Sequence, residues 1–142
     1  LISTKLENLR ILEYVNMEKE KIKSFEDLIV WKEGHRLVLM IYNITGSFPD
    51  NEKFGLVSQM RRCVVSITSN IAEGFGRRGY KEKVQFYYIS SGSFSELKNQ
   101  ILIARDIGYL NEKSYAEIMS QADCAHKLLN LFINKTKTFI SK

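Results

Sequence analysis

Hydrophobic positions recur along most of the chain at steps of three and four, the period of an α-helix rather than of a strand. Leu28, Trp31, Val38, Ile41, Tyr42 and Thr45 mark one face of a helix predicted to start at Phe25 or Asp27 and to end near Thr45. Gly46 follows, where a left-handed cap is expected, and Phe48-Pro49-Asp50-Asn51 leads onward because Pro49 cannot continue a helix. A second helix is predicted over residues 52–73, capped by Asp50 or Asn51, with Leu56, Met60, Val64, Ile67 and Ile71 inward. Its opposite stripe is Arg62, Ser66, Asn70 and Glu73. The glycine-rich residues 74–79 break it. A third helix is predicted from Tyr80 to Asp106 or Ile107, with Phe86, Ile89, Ser93, Leu97, Ile101 and Ala104 on one side and Gly108 as terminator. The small run Ser90-Ser91-Gly92-Ser93 would let a neighbouring backbone come close. Asn111 can cap a fourth helix reaching residues 135–137, with Tyr115, Ile118, Ala122, Ala125, Leu129 and Phe132 buried.

Helices of this size are about 30–42 Å long. Joined by short connections, they become antiparallel neighbours, so the fold class expected is all-α, an up-down-up-down antiparallel four-helix bundle. The chain has 142 residues, 44% hydrophobic and 26% charged, enough for one packed domain without disulfide or metal staples. Residues 1–16 precede Met17, which opens MEKEKIKSFEDL. They are read as an N-terminal extension outside the native domain, with residues 17–142 forming the bundle; the extension could itself be helical, since Leu6, Leu9, Leu12 and Val15 recur in threes. No run of 18 apolar residues offers a membrane span, and Cys63 and Cys124 form no paired motif, so a cytoplasmic protein with reduced thiols is expected.

The net charge is +5, and its excess lies in the second half: residues 75–108 hold six basic and three acidic groups, and residues 109–142 five and three. The densest part is Arg77-Arg78 followed by Lys81 and Lys83, opposed by Glu82 alone. Such a run is either a solvated surface or an anion-binding patch. Residues 74–79 spell GFGRRG and match GxGxxG literally, yet a dinucleotide loop needs a preceding strand, and here a helix precedes it. What survives is a loop that feeds a helix N-terminus and exposes N–H groups that favour phosphate. Metal binding is not expected. His35, Cys63, Cys124 and His126 are spread over three helices, and the only carboxylate-x-x-histidine motif is Asp123 to His126. No GxSxG motif is present. Glu73 and Glu96 are the best candidates for inward carboxylates able to do acid–base work, but the reading taken is a structural polar network of Ser66, Asn70, Glu73 and Glu96.

Taken together, SFEDLIVWK at residues 24–32, Phe48-Pro49, Gly55-Leu56, SQMRR at residues 58–62 and above all VSITSNIAEGFGR at residues 65–77 form a pattern, which Gly92-Ser93, Glu96-Leu97, Ile103-Ala104 and Gly108-Tyr109-Leu110 complete. It resembles the four-helix-bundle proteins encoded in intervening sequences of bacterial large-subunit ribosomal RNA genes, over residues 24–133. Gly79 departs from it, standing where the family commonly has serine or threonine. The resemblance implies a homopentamer with a central opening, no enzymatic activity and no cofactor. The architecture is also similar to the accessory proteins of diversity-generating retroelements, which bind nucleic acid together with a reverse transcriptase. The function expected is therefore RNA or DNA binding by a homo-oligomer through Arg61, Arg62, Arg77, Arg78, Lys81 and Lys83, with Tyr80 and Phe75 available to stack on bases, although Phe75 better suits core or interface packing. The alternative is a scaffold for a protein such as a reverse transcriptase, without direct nucleic-acid contact.

Overall fold

The computed structural model describes residues 22–140; the expectations for residues 1–16 lie outside them. Four helices make up the fold: α1 (Ile29–Thr45), α2 (Leu56–Phe75), α3 (Tyr80–Ile107) and α4 (Glu112–Lys137), with no strand among the described residues. Each helix packs on two neighbours, α1 on α2 and α4, and α3 on α2 and α4. Pairings across each seam run in opposite senses. Cys63 meets Ser93 and Ser90 meets Ile67 between α2 and α3, while Tyr87 meets Phe132 and Lys98 meets Asp123 between α3 and α4. Between α1 and α2, Gly34 lies against Thr68 and Thr45 against Arg61. The order is therefore up-down-up-down around a square, as expected.

The helix starts differ from expectation for a local reason. Residues 25–27 form a separate 3-10 turn, because Ser24 Oγ accepts from the Glu26 N–H and the Asp27 carboxylate accepts from the Ser24 N–H. These bonds satisfy the turn by itself, and α1 begins only at Ile29. Likewise α2 starts at Leu56, after a 3-10 turn at Asp50–Glu52. Its N-cap is Gly55 rather than Asp50 or Asn51, and Glu52 serves the first turn from outside: its Oε2 accepts from the Leu56 N–H at 2.9 Å and its Oε1 accepts from Tyr109 Oη–H at 3.1 Å. One carboxylate so ties the start of α2 to the α3–α4 connection. Gly46 is right-handed (φ −62°), and the left-handed cap occurs at Gly108 (φ 98°), where the Tyr109 N–H reaches the Ala104 carbonyl. Asn111 caps α4 as expected, accepting from the Ser114 N–H at 2.8 Å.

The α2 stripe Met60, Val64, Ile67 and Ile71 is fully buried, with Leu56 half-buried at its end. On α1 the stripe is rotated: Val30, Gly34, Leu37, Ile41 and Thr45 face inward, and Tyr42 faces solvent. Gly34 explains the rotation, since a Cβ there would lie 3.2 Å from Thr68 Cγ2; the glycine is where α2 approaches. On α3 the expected face holds from Ser93 onward, but Ile89 is exposed and Phe86 only half-buried, and Tyr87 and Phe94 take the core. The close approach predicted for the small run is real. Ser90 Oγ–H donates to the Ile67 carbonyl at 2.9 Å, and Gly74 faces Tyr87 so tightly that a Cβ would meet its Cε1 at 2.6 Å.

Candidate functional site

The six basic residues singled out from the sequence fall into two groups. From Arg61 to Phe75 the α2 axis advances about 21 Å at 1.5 Å per residue. Arg61 and Arg62 therefore sit toward one end of the bundle, and Arg77, Arg78, Lys81 and Lys83 at the other.

At the second end, half of the cations are already engaged. Arg77 pairs with Glu73 one turn earlier and with Glu82 at 3.3 Å, and its guanidinium lies 4.7 Å from the Phe86 ring centre. Lys83 Nζ donates to the Phe75 carbonyl at 2.5 Å and lies over the Phe75 ring, and burial lowers its pKa. It thus closes the C-terminus of α2, where the helix dipole favours a cation. Arg78 and Lys81 are exposed and make no hydrogen bond or ion pair with the described residues. Gly79, the N-cap of α3, offers no side chain to the first N–H groups of that helix. The end of α4 joins this region through Tyr80 and Phe139, whose ring centres are 5.1 Å apart, and brings Lys135 and Lys137 in its last turn.

At the first end, Arg61 folds onto the C-terminus of α1. Its Nε–H donates to Thr45 Oγ1 at 3.0 Å, an Nη–H reaches the Tyr42 carbonyl at 3.3 Å, and its guanidinium stacks 4.7 Å from the Tyr42 ring centre. Arg62, next to it, points into solvent.

The polar network is partly as expected. Ser66 Oγ and Ser93 Oγ are 2.9 Å apart, and Asn70 Nδ2–H donates to the Ser66 carbonyl and hydroxyl. Glu96 lines the same shallow groove and accepts from Gln100 at 3.4 Å. Glu73 does not belong: it lies on the solvent side and is committed to Arg77. Neither Glu73 nor Glu96 points inward. The carboxylate that does is Glu33 on α1, 8% exposed, which accepts from Gln121 Nε2–H at 2.7 Å. Cys63 lies under the same groove, and burial, aided by Glu96, pushes its thiol up to about 12.

Sequence reasoning missed the seam between α3 and α4. His126 stacks on Phe94, with ring centres 4.8 Å apart. Its Nε2 is 2.9 Å from Ser91 Oγ and its Nδ1 is 2.9 Å from Lys98 Nζ, which in turn pairs with Asp123 at 2.9 Å. An ammonium has only donors, so Nδ1 accepts and the ring proton sits on Nε2, donating to Ser91. That is the wrong tautomer for activating the serine, because a general base would need a free Nε2. Burial, then the Lys98 charge, lowers the His126 pKa to about 4, with Asp123 opposing. At neutral pH the ring is therefore uncharged beside the Lys98–Asp123 ion pair. The Asp123-to-His126 spacing was the cluster's only sequence signal. Among the described residues no group of three or more histidine, cysteine or carboxylate side chains could hold a metal, and no helix is long and apolar enough to cross a membrane.

No curated protein matches the chain. A crystal structure of a protein of unknown function from the S23 ribosomal protein family of Bacteroides thetaiotaomicron superimposes with a TM-score of 0.69 at 19% identity, covering 73% of this chain and 97% of that one. At that identity the likeness speaks for the fold. The model of the 23S rRNA-intervening sequence protein family matches residues 26–131, which include all of α1, α2 and α3 and most of α4. The chain belongs to the 23S rRNA-intervening sequence protein family.

Proposed function

We propose that this protein is a non-enzymatic homo-oligomer that binds RNA or DNA through the end of the bundle where α3 begins. One observation carries the reading: Arg78 and Lys81 stand exposed and unpaired beside the uncapped α3 N-terminus, while both nearby acids, Glu73 and Glu82, are occupied by Arg77. Free cations beside free N–H groups suit phosphate oxygens. Arg77 and Lys83 contribute charge but hold the loop in place rather than reaching out.

Self-association is supported by apolar side chains exposed on α3, Tyr88 and Ile89 in its first half and Leu102, Ile103 and Ile107 near its end. A homopentamer, the assembly the family resemblance implies, would repeat the two free cations around a ring and raise avidity without new contacts. Binding of this kind is largely sequence-independent and weakens as salt rises. The test is a gel shift with single- and double-stranded oligonucleotides across a salt series, alongside light scattering. Arg78→Glu/Lys81→Glu is expected to abolish retention at low salt while preserving the oligomer mass. Unchanged retention by that variant would remove the proposal's basis. Wild-type protein that shifts no nucleic acid but captures a defined protein would favour the scaffold reading.

A further inference from the structure

The groove between α1 and α2, at the end of the bundle away from Arg78, has no role in the site just described. It has a volume of about 410 Å3. It is lined by the apolar Val57 and Val65, the aromatic Tyr42 and Phe54, the cationic Lys53, Arg61 and Arg62, and Ser58. Phe54 is 91% exposed, the most exposed large hydrophobic side chain among the described residues. No carboxylate lines the groove. The nearby Glu52 is engaged by the Leu56 N–H and the Tyr109 hydroxyl.

Two cation–ring contacts line the groove. The Arg61 guanidinium is held on the Tyr42 ring by two hydrogen bonds to the end of α1, so the pair is a rigid two-layer platform. Lys53 Nζ, also in the lining, sits 5.6 Å from the Phe54 ring centre. Aromatic rings in contact with cations, beside apolar side chains and without a carboxylate, suit an unpaired nucleobase and its phosphate. A duplex keeps its base faces stacked inside and could offer only phosphates.

We infer that this groove is a stacking site for single-stranded nucleic acid, with Phe54 and the Tyr42–Arg61 platform taking bases and Lys53 and Arg62 taking the flanking phosphates. The inference rests on the nucleic-acid reading above and adds a second contact surface and a preference for single strands. It also gives Arg61 and Arg62 different roles, the first a fixed plane and the second a mobile charge.

The test measures fluorescence anisotropy of the full chain with a 20-nucleotide oligo-dT and with a duplex of the same length, at several salt concentrations. Phe54→Ala is expected to weaken single-strand binding about tenfold and leave duplex binding and the salt slope unchanged. Arg62→Gln is expected to lower the salt slope by about one for either ligand. Both side chains are exposed, and an unaltered thermal melt confirms folding. If both variants bind oligo-dT like the wild type while Arg78→Glu/Lys81→Glu does not, the groove is excluded and the proposed function stands. If the wild type binds neither ligand, both fall. A changed oligomer mass in Phe54→Ala with unchanged affinity would make the groove a subunit contact and overturn the inference. Equal displacement of oligo-dT from wild type and Phe54→Ala by poly-glutamate at matched charge would mean that stacking contributes nothing, which also overturns it.

Discussion

His126 makes acid sensitivity a measurable property of the α3–α4 seam. In the folded protein its pKa is lowered from 6.5 to about 4, first by burial and then by Lys98. Between those values the unfolded chain binds more protons than the folded one, so stability rises with pH and is lost on acidification. The full difference is worth at most about 3 kcal/mol, and about 2 kcal/mol of it would be gone by pH 5. The ring is only half-buried, and solvent screening brings the expected loss between pH 7.5 and pH 5 to about 1 kcal/mol. The perturbation is His126→Gln, which keeps a neutral polar group in the seam and removes the titration. Urea unfolding of both proteins at both pH values subtracts whatever the two proteins share. The wild type is expected to lose about 1 kcal/mol more than the variant. NMR titration of the ring gives the pKa directly, and Lys98→Met should raise it part of the way, since burial remains. A native ring titrating near 6.5, or an equal acid loss in His126→Gln, would refute the reasoning. So would a ring proton on Nδ1.

Four further outcomes follow from the packing and the caps. Gly74→Ala drives a Cβ to 2.6 Å from the buried Tyr87 ring and 2.9 Å from Phe86 Cβ, and should cost about 1–2 kcal/mol in urea unfolding. Gly92→Ala, a helix-interior site with nothing within 4 Å, should instead gain up to about 1 kcal/mol. Gly79→Ser places a side-chain acceptor at an N-cap of suitable geometry (φ −90°, ψ 142°) and should raise stability by about 0.5 kcal/mol. Cys63, 6% exposed with its thiol pushed up to about 12, should resist iodoacetamide at pH 8 until the protein is unfolded, as read by mass spectrometry.

The fold was legible because its strongest signals are local. The α2 stripe and the caps at Gly108 and Asn111 need only their own neighbours, and they stand where the periodicity puts them. The misplaced faces depend on partners. On α3 the sequence offers two adjacent apolar lines, Phe86 and Ile89 or Tyr87 and Phe94, and periodicity cannot choose between them. The choice is made by Gly74 on another helix, whose missing side chain leaves room for the Tyr87 ring. Gly34 acts in the same way for α1, admitting Thr68. In both cases a glycine carries the information, and a hydrophobicity pattern counts a glycine as nothing.

The site was less legible for a related reason. A basic residue can serve a ligand only if the protein has not already used it, and that depends on which carbonyls and carboxylates the fold leaves open. Lys83 is consumed because α2 ends at Phe75 and needs a donor for its last carbonyls. Arg77 is consumed because Glu73 and Glu82 flank it, one turn back and at the start of the next helix. Arg61 is consumed because α1 ends opposite it. These three would have been hard to tell in the sequence from Arg62, Arg78 and Lys81, yet they differ in what a substitution should do. Removing a consumed cation exposes a helix end or an acid and costs stability first. Removing a free one leaves the fold intact and can alter only what meets the surface. A charge-reversal series scored for both melting and nucleic-acid retention therefore separates the two sets. Arg61, Arg77 and Lys83 should move the melt, whereas Arg62, Arg78 and Lys81 should move retention alone.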